Sequence, residues 1–113
     1  MKVIEVDEGT KISYEISKTK ITFDDELMLN LAKYEQDDDV NIDICADKNG
    51  NLSTATAFRY VAQIYIPART YNEVEIDNPD YNPDEGISNK TIINREPVPF
   101  SMDNVTLKLY SIN

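Results

Sequence analysis

The chain has no histidine and no tryptophan, one cysteine and three glycines among its 113 residues. Each shortage excludes something. Without histidine there is no side chain whose ordinary ionisation makes it a general base at neutral pH, no Ser-His or Cys-His nucleophile, and no imidazole for a transition metal. The three glycines form no spaced cluster, so no loop is built to cradle a phosphate. A lone cysteine, Cys45, cannot form an intramolecular disulfide, and the chain reads as a protein of a reducing compartment. Cys45 has no base partner in the sequence and is expected to be a small side chain on a partly covered sheet face.

Long apolar runs are missing too. Nowhere do about eighteen apolar residues follow one another, and Met1 to Glu8 brings acid before any stretch of signal-peptide length. The expectation is a cytoplasmic protein with no membrane partner.

What the chain has in excess is negative charge. Asp and Glu number 21 against 11 Lys and Arg, a net charge of -10. Two segments concentrate it. Glu35 to Asp47 contains Glu35, Asp37, Asp38, Asp39, Asp43 and Asp47 with no base; Tyr71 to Gly86 contains Glu73, Glu75, Asp77, Asp80, Asp84 and Glu85, again with none. These twelve acids exceed the net excess, so the remainder is close to balanced. Such a surface repels the phosphate backbone and argues against direct nucleic-acid binding. It attracts basic surfaces and speeds their association.

Tyr81 lies inside the second segment, and tyrosine offers broad contact area at low entropic cost. Asp37, Asp38, Asp39, Glu73, Glu75, Asp77, Asp80, Tyr81, Asp84 and Glu85 are therefore the candidate partner-binding residues. The competing explanation is that the acids only keep a β-rich domain soluble and its edges apart. Asp80, Asn82 and Asp84 have the alternating oxygen ligands of a calcium loop, but Gly86 comes one position late and the distal bidentate acid is missing, so they are weak metal candidates. No cofactor is expected. Acids this abundant make any catalytic carboxylate pair unspecific, so the chain is not expected to be an enzyme.

The fold is expected to be all-β. Val40, Ile42, Ile44 and Ala46 alternate with Asn41, Asp43, Cys45 and Asp47, the period of a half-buried strand. Asn49-Gly50 marks a turn, and Phe58, Tyr60, Ala62, Ile64 and Ile66 form one face of a longer strand. Together they predict a central hairpin from Val40 to Pro67, with its second strand internal. Further strands are expected at Met1–Val6, Ile12–Ser17, Ile21–Phe23, Tyr71–Ile76 and Val105–Leu109, with broken extended segments near Thr91–Asn94 and Val98–Phe100.

Residues 25–36 read either as a short helix or as a strand; the strand is preferred because a turn at Asp24-Asp25 would join it to its neighbours in a meander. The sum is a single domain over residues 1–113, an antiparallel β-sandwich or small barrel of about 7–8 short strands, with an exposed acidic loop at 77–90. Its core is expected from Ile12, Tyr14, Ile16, Leu27, Leu29, Ile42, Ile44, Tyr60, Ile64, Ile66, Val105, Leu107 and Leu109. Because antiparallel pairing brings Asp39 and Pro67 together, both acidic segments are expected at one end of the molecule.

The function these observations suggest is a non-enzymatic acidic β-domain acting by protein–protein interaction or by self-association. By analogy of class it would be a structural or accessory protein of a bacteriophage or mobile element. A nucleic-acid mimic that inhibits a DNA- or RNA-binding protein is the first alternative, and a weak calcium-binding module the second.

Overall fold

The computed structural model describes residues 1–112 and is built almost wholly of β-structure. Ten strands run in order β1 (Lys2–Glu5), β2 (Tyr14–Ser17), β3 (Lys20–Phe23), β4 (Leu27–Asn30), β5 (Val40–Ala46), β6 (Leu52–Ser53), β7 (Arg59–Ile66), β8 (Tyr71–Asp77), β9 (Thr91–Pro97) and β10 (Thr106–Leu109). They make three sheets, ordered β1-β10-β7-β5-β6, β2-β3-β4 and β8-β9, and none closes into a barrel. Contacts divide the chain into two compact units, Met1–Arg69 with Phe100–Asn113 and Thr70–Pro99. The first is called the core unit below and the second the ribbon.

The two larger sheets belong to the core unit, and their buried side chains form one cluster. In the three-stranded sheet the meander is made by a turn at Asp24-Asp25, where both residues take positive φ (52° and 53°) and Glu26 N donates to Phe23 O at 2.9 Å. Two successive left-handed residues define the hairpin turn that matches strand twist, and short polar Asp side chains tolerate it. The strand expected after it is present as β4. The helical alternative survives only as the 3-10 turn Leu31–Lys33 that follows, whose Leu31 is fully buried.

The five-stranded sheet puts β7 at its centre, as its two-sided apolar character predicts, paired to β5 from Val40↔Ile66 to Ala46↔Arg59. Three expectations are corrected. The turn near Asn49-Gly50 does not join these two strands; it leads into the two-residue β6 on the opposite side of β5, and the chain then crosses to β7. Leu52 and Ser53 satisfy the free edge of β5 first. The sheet is also not purely antiparallel, because β1 pairs parallel with β10. Those two strands lie at opposite ends of the chain, so no tight turn dictates their relative direction. Finally there are ten strands where 7–8 were expected, since β6 and a continuous β9 were not foreseen.

The core itself is shifted from its expected membership. The register jumps between Ile44↔Ala62 and Cys45↔Tyr60, which leaves Val61 as an extra residue. Such a bulge turns the side chains before it to the other face. Val61 and Ala62 are thus both buried while Tyr60 is 46% exposed. Ile16 is exposed as well, and Tyr14 and Leu27 only pack against the cluster from its margin. Their places are taken by Ile21, Phe23, Leu31, Cys45, Ala46, Val61 and Ala62. Cys45 is completely buried rather than partly covered. No helix among the described residues is long and apolar enough to cross a membrane.

Candidate interaction surface

The two acidic segments fall in different units. Most acids of the first are occupied in holding the core unit together. Arg69 lies 3.4 Å from Glu35 Oε1 and 3.6 Å from Asp37 Oδ1, and also donates to the Glu35 carbonyl at 3.0 Å. Asp39 Oδ1 accepts the Ala68 amide at 2.8 Å, which ties the chain entering β5 to the chain leaving β7.

Asp39 also accepts the hydroxyl of half-buried Tyr65. Burial first, and then this bond and the charge of Asp39, push the Tyr65 phenol above its ordinary value. Asp43 accepts from Gln63 at 2.8 Å, and Gln63 in turn accepts from Tyr110 at 2.6 Å, so these polar groups form a ladder across β5, β7 and the end of β10. Asp47 organises the turn below it: Oδ1 accepts the amides of Asn49 at 2.8 Å and Asn51 at 2.9 Å. These bonds, that from Asn51 foremost, hold its carboxyl below the usual range even though burial works the other way. Among the described residues, Asp38 is the acid of this segment with no such engagement, and it is exposed.

The second segment is different in kind. No residue of Thr70–Pro99 is buried. The register Tyr71↔Pro97 through Asp77↔Thr91 places opposite residues on a shared face. One face carries Glu73, Glu75 and Asp77 at successive two-residue steps, with Arg95, Ile93 and Thr91 across from them. Arg95 sits over the Tyr71 ring at 4.4 Å, and the Thr91 hydroxyl donates to Glu75. The other face carries Val74, Ile76 and Ile92.

Beyond the strands, the segment expected as an exposed acidic loop is a tip closed by its own hydrogen bonds. Asn78 N donates to Lys90 O at 2.8 Å, its side chain donates to Asn89 O at 2.9 Å, and Asn82 and Ile87 exchange a pair of bonds at 3.0 Å. A 3-10 turn, Pro83–Glu85, caps this bridge, and Gly86 at φ 84° reverses the chain. Asp80, Asp84 and Glu85 are exposed there beside Tyr81, which is 40% exposed. The ribbon therefore brings Glu73, Glu75, Asp77, Asp80, Tyr81, Asp84 and Glu85 onto one small element, while Asp37, Asp38 and Asp39 lie in the core unit.

Among the described residues, no three Asp, Glu or Cys side chains converge as a cation would require. Asn82 uses its backbone in the bridge, and the Asn78 side chain accepts the Asp80 amide at 3.0 Å, so turn chemistry accounts for the alternating Asx residues.

Two shallow pockets lie in the core unit, and sequence reasoning pointed to neither. The larger, about 240 Å³, is lined by Ile12, Leu52, Val61 and Ile112 together with Asp47, Lys48 and Phe58. Arg59 also lines it, donating to Ile112 O at 2.8 Å and lying 5.4 Å from the ring of Phe58. Phe58 is 60% exposed, and its only signal in the sequence was an aromatic residue at the start of a strand.

The distribution of charge sharpens the contrast between the units. The ribbon holds seven carboxylates, the six above and Glu96, against Lys90 and Arg95, for a net of -5. That is half of the chain's -10 on 30 of its 113 residues. Compared with protein-family models, curated proteins and solved structures, the chain matches none of them.

Proposed function

We propose that the chain is a non-enzymatic acidic β-domain that acts by protein–protein contact, and that the ribbon is its contact surface for a partner of basic or mixed charge. The observation that carries this reading is the pairing of no buried residue with half the net charge in Thr70–Pro99. An element that buries nothing contributes little to a core, and its exposed Ile92 and Tyr81 supply the apolar and aromatic contacts an interface centre needs. The acids around them set the sign of the partner and hasten encounter. The proposed surface is confined to the ribbon; Asp37, Asp38 and Asp39 belong to the core unit, where Asp37 pairs with Arg69 and Asp39 accepts the Ala68 amide. The phage or mobile-element setting remains an analogy of class.

The test uses the full chain as bait in its native host extract, against a variant with Asp80→Asn, Asp84→Asn and Glu85→Gln and against a chain with the ribbon excised. Val98 N donates to Thr70 O at 2.9 Å, so the ribbon's ends adjoin and a short linker can replace it. A partner retained by wild type, weakened by the triple variant and lost on excision supports the proposal. Identical partners in all three would end it.

The nucleic-acid-mimic reading is favoured by one observation, the evenly stepped row Glu73, Glu75 and Asp77 on one face of β8. It predicts that the captured partner binds nucleic acid and that added DNA or RNA displaces it from the ribbon.

A further inference from the structure

The ladder bonds of the ribbon fix which of its backbone groups remain to be satisfied. Val98 N donates to Thr70 O and Asn78 N donates to Lys90 O. These bonds bracket the register from Tyr71↔Pro97 to Asp77↔Thr91. In an antiparallel pair, hydrogen-bonded and non-hydrogen-bonded positions alternate. The even-numbered residues of β8 therefore bond to β9, and the N–H and C=O groups of Glu73, Glu75 and Asp77 point away from it. Among the described residues no further strand lies on that side.

The two outer edges of the ribbon are not equivalent. That of β9 carries Pro97, which has no N–H, and Arg95, both of the kind that closes a sheet edge to further strands. That of β8 has neither proline nor a basic residue. It presents Glu73, Glu75 and Asp77 on one face and Val74 and Ile76 on the other. A second copy of the chain docking there would set like charges opposite one another, which is unfavourable in cross-strand pairs. A strand of opposite sign meets no such barrier.

We propose that the outer edge of β8 takes up an extended segment of a partner protein in which Lys or Arg recurs at every second residue, with apolar residues between. Backbone bonds to the outward groups of Glu73, Glu75 and Asp77 supply affinity, and the alternation supplies selectivity. On one face the basic side chains stand beside the three acids at cross-strand distance, about 4.5–5.5 Å between Cβ atoms. On the other, the apolar side chains extend the surface of Val74, Ile76 and Ile92. The inference rests on the ribbon being the contact surface, and names what that surface takes.

The experiment uses the full chain and two short synthetic peptides of equal composition, one alternating Lys and Val, the other with its lysines and valines in separate blocks. Binding is read by fluorescence anisotropy at low and near-physiological salt. The alternating peptide is expected to bind about tenfold more tightly than the blocked one, the worth of one or two net backbone hydrogen bonds. Glu75→Gln removes one charge and is expected to weaken it about threefold. Glu75→Pro also removes an outward N–H that takes no part in the β8–β9 ladder, and is expected to cost about a further tenfold.

Ile93→Pro is the control, because Ile93 lies opposite Glu75 and its amide points outward from the other edge. It should leave binding unchanged. Equal binding of the two peptides, equal effects of Glu75→Gln and Glu75→Pro, or equal losses from Glu75→Pro and Ile93→Pro would each overturn the proposal. If the alternation then fails to matter but ribbon excision still abolishes partner capture, the contact-surface reading stands without this edge. If excision leaves capture intact, both readings fall.

Discussion

The core unit and the ribbon carry the same net charge and share almost nothing else. Every buried apolar side chain, from Phe23 and Leu31 to Ile64 and Leu107, belongs to the core unit, and the ribbon has none. In the core unit acids are put to local structural use, as Asp39 on the Ala68 amide and Asp47 in its turn show. In the ribbon they are displayed. A two-stranded hairpin is at best marginally stable alone in water. The ribbon's ladder, the Tyr71–Arg95 stack and its tip hydrogen bonds thus hold an element whose folding stability comes from few sources. The difference lies in engagement: Asp37 and Asp39 are exposed, as the acids of the ribbon are, yet an ion pair to Arg69 and a bond from the Ala68 amide tie them into the core unit.

The comparison breaks most visibly, or holds, in amide hydrogen exchange. Amides in β5 and β7 should exchange only through global opening, which for a domain of this size costs about 5–15 kcal/mol. Amides of β8 and β9 should exchange through local opening several kcal/mol cheaper. Similar protection in both would show that the ribbon shares the cooperativity of the core unit. Next in size is a pair of substitutions followed by denaturant unfolding. Phe23→Ala empties a fully buried site and should cost about 3–5 kcal/mol. Ile93→Ser, at a residue 62% exposed, should change stability by less than about 0.5 kcal/mol.

Much of this division was legible in the sequence, and its failures have identifiable physical causes. Period-2 alternation located β2, β3, β5, β7, β8 and β10 and, with the turn before it, β4, because alternation is the direct imprint of one covered face; β1 was legible only as a short β-branched run. Alternation could not locate β6, where two residues are too few for a period to show. It misjudged Tyr60, because a bulge at Val61 inserts a residue that has no partner in β5 and shifts the phase of all that precedes it. It left Phe23 out of the core, since nothing in a local pattern says that β3 is central to its sheet, and Leu31 too, since the 3-10 turn that buries it was not foreseen. Charge located both acidic segments and could not show that the first is consumed by Arg69, Ala68 and Gln63, which are distant in sequence. The division into units was likewise not foreseen, because alternating Val74 and Ile76 resemble any half-buried strand.

A smaller effect separates turns inside the core unit. Asp25 occupies a left-handed position at φ 53°, where an L side chain is strained by about 1 kcal/mol and glycine is not. Asp25→Gly should therefore stabilise the core unit by up to about 1 kcal/mol in denaturant unfolding. The reverse experiment is Gly50→Ala: Gly50 has φ 85° and nothing within 4 Å of the Cβ it would gain, so the loss should be that of the backbone conformation alone. A gain from Asp25→Gly absent or reversed would mean that the Asp25 side chain serves the turn in a way its backbone does not reveal.

The smallest effect tests the claim that acids of the core unit are structural. The hydrogen bonds from Asn51 and Asn49 lower the Asp47 carboxyl below its ordinary value of 3.8. A group whose folded pKa is depressed contributes stability that is present above its unfolded pKa and is lost as pH falls through the folded one. Wild type should therefore melt above Asp47→Ala by a constant margin from neutral pH down to about pH 4, and the margin should shrink on further acidification. Asp47→Asn keeps an oxygen for the Asn49 and Asn51 amides but cannot ionise, so its own melting should lack this acid-linked component and the wild-type advantage over it should close in the same window. A margin that stays fixed to the lowest pH would mean the turn is held by shape alone, and the distinction between working and displayed acids would lose its clearest example.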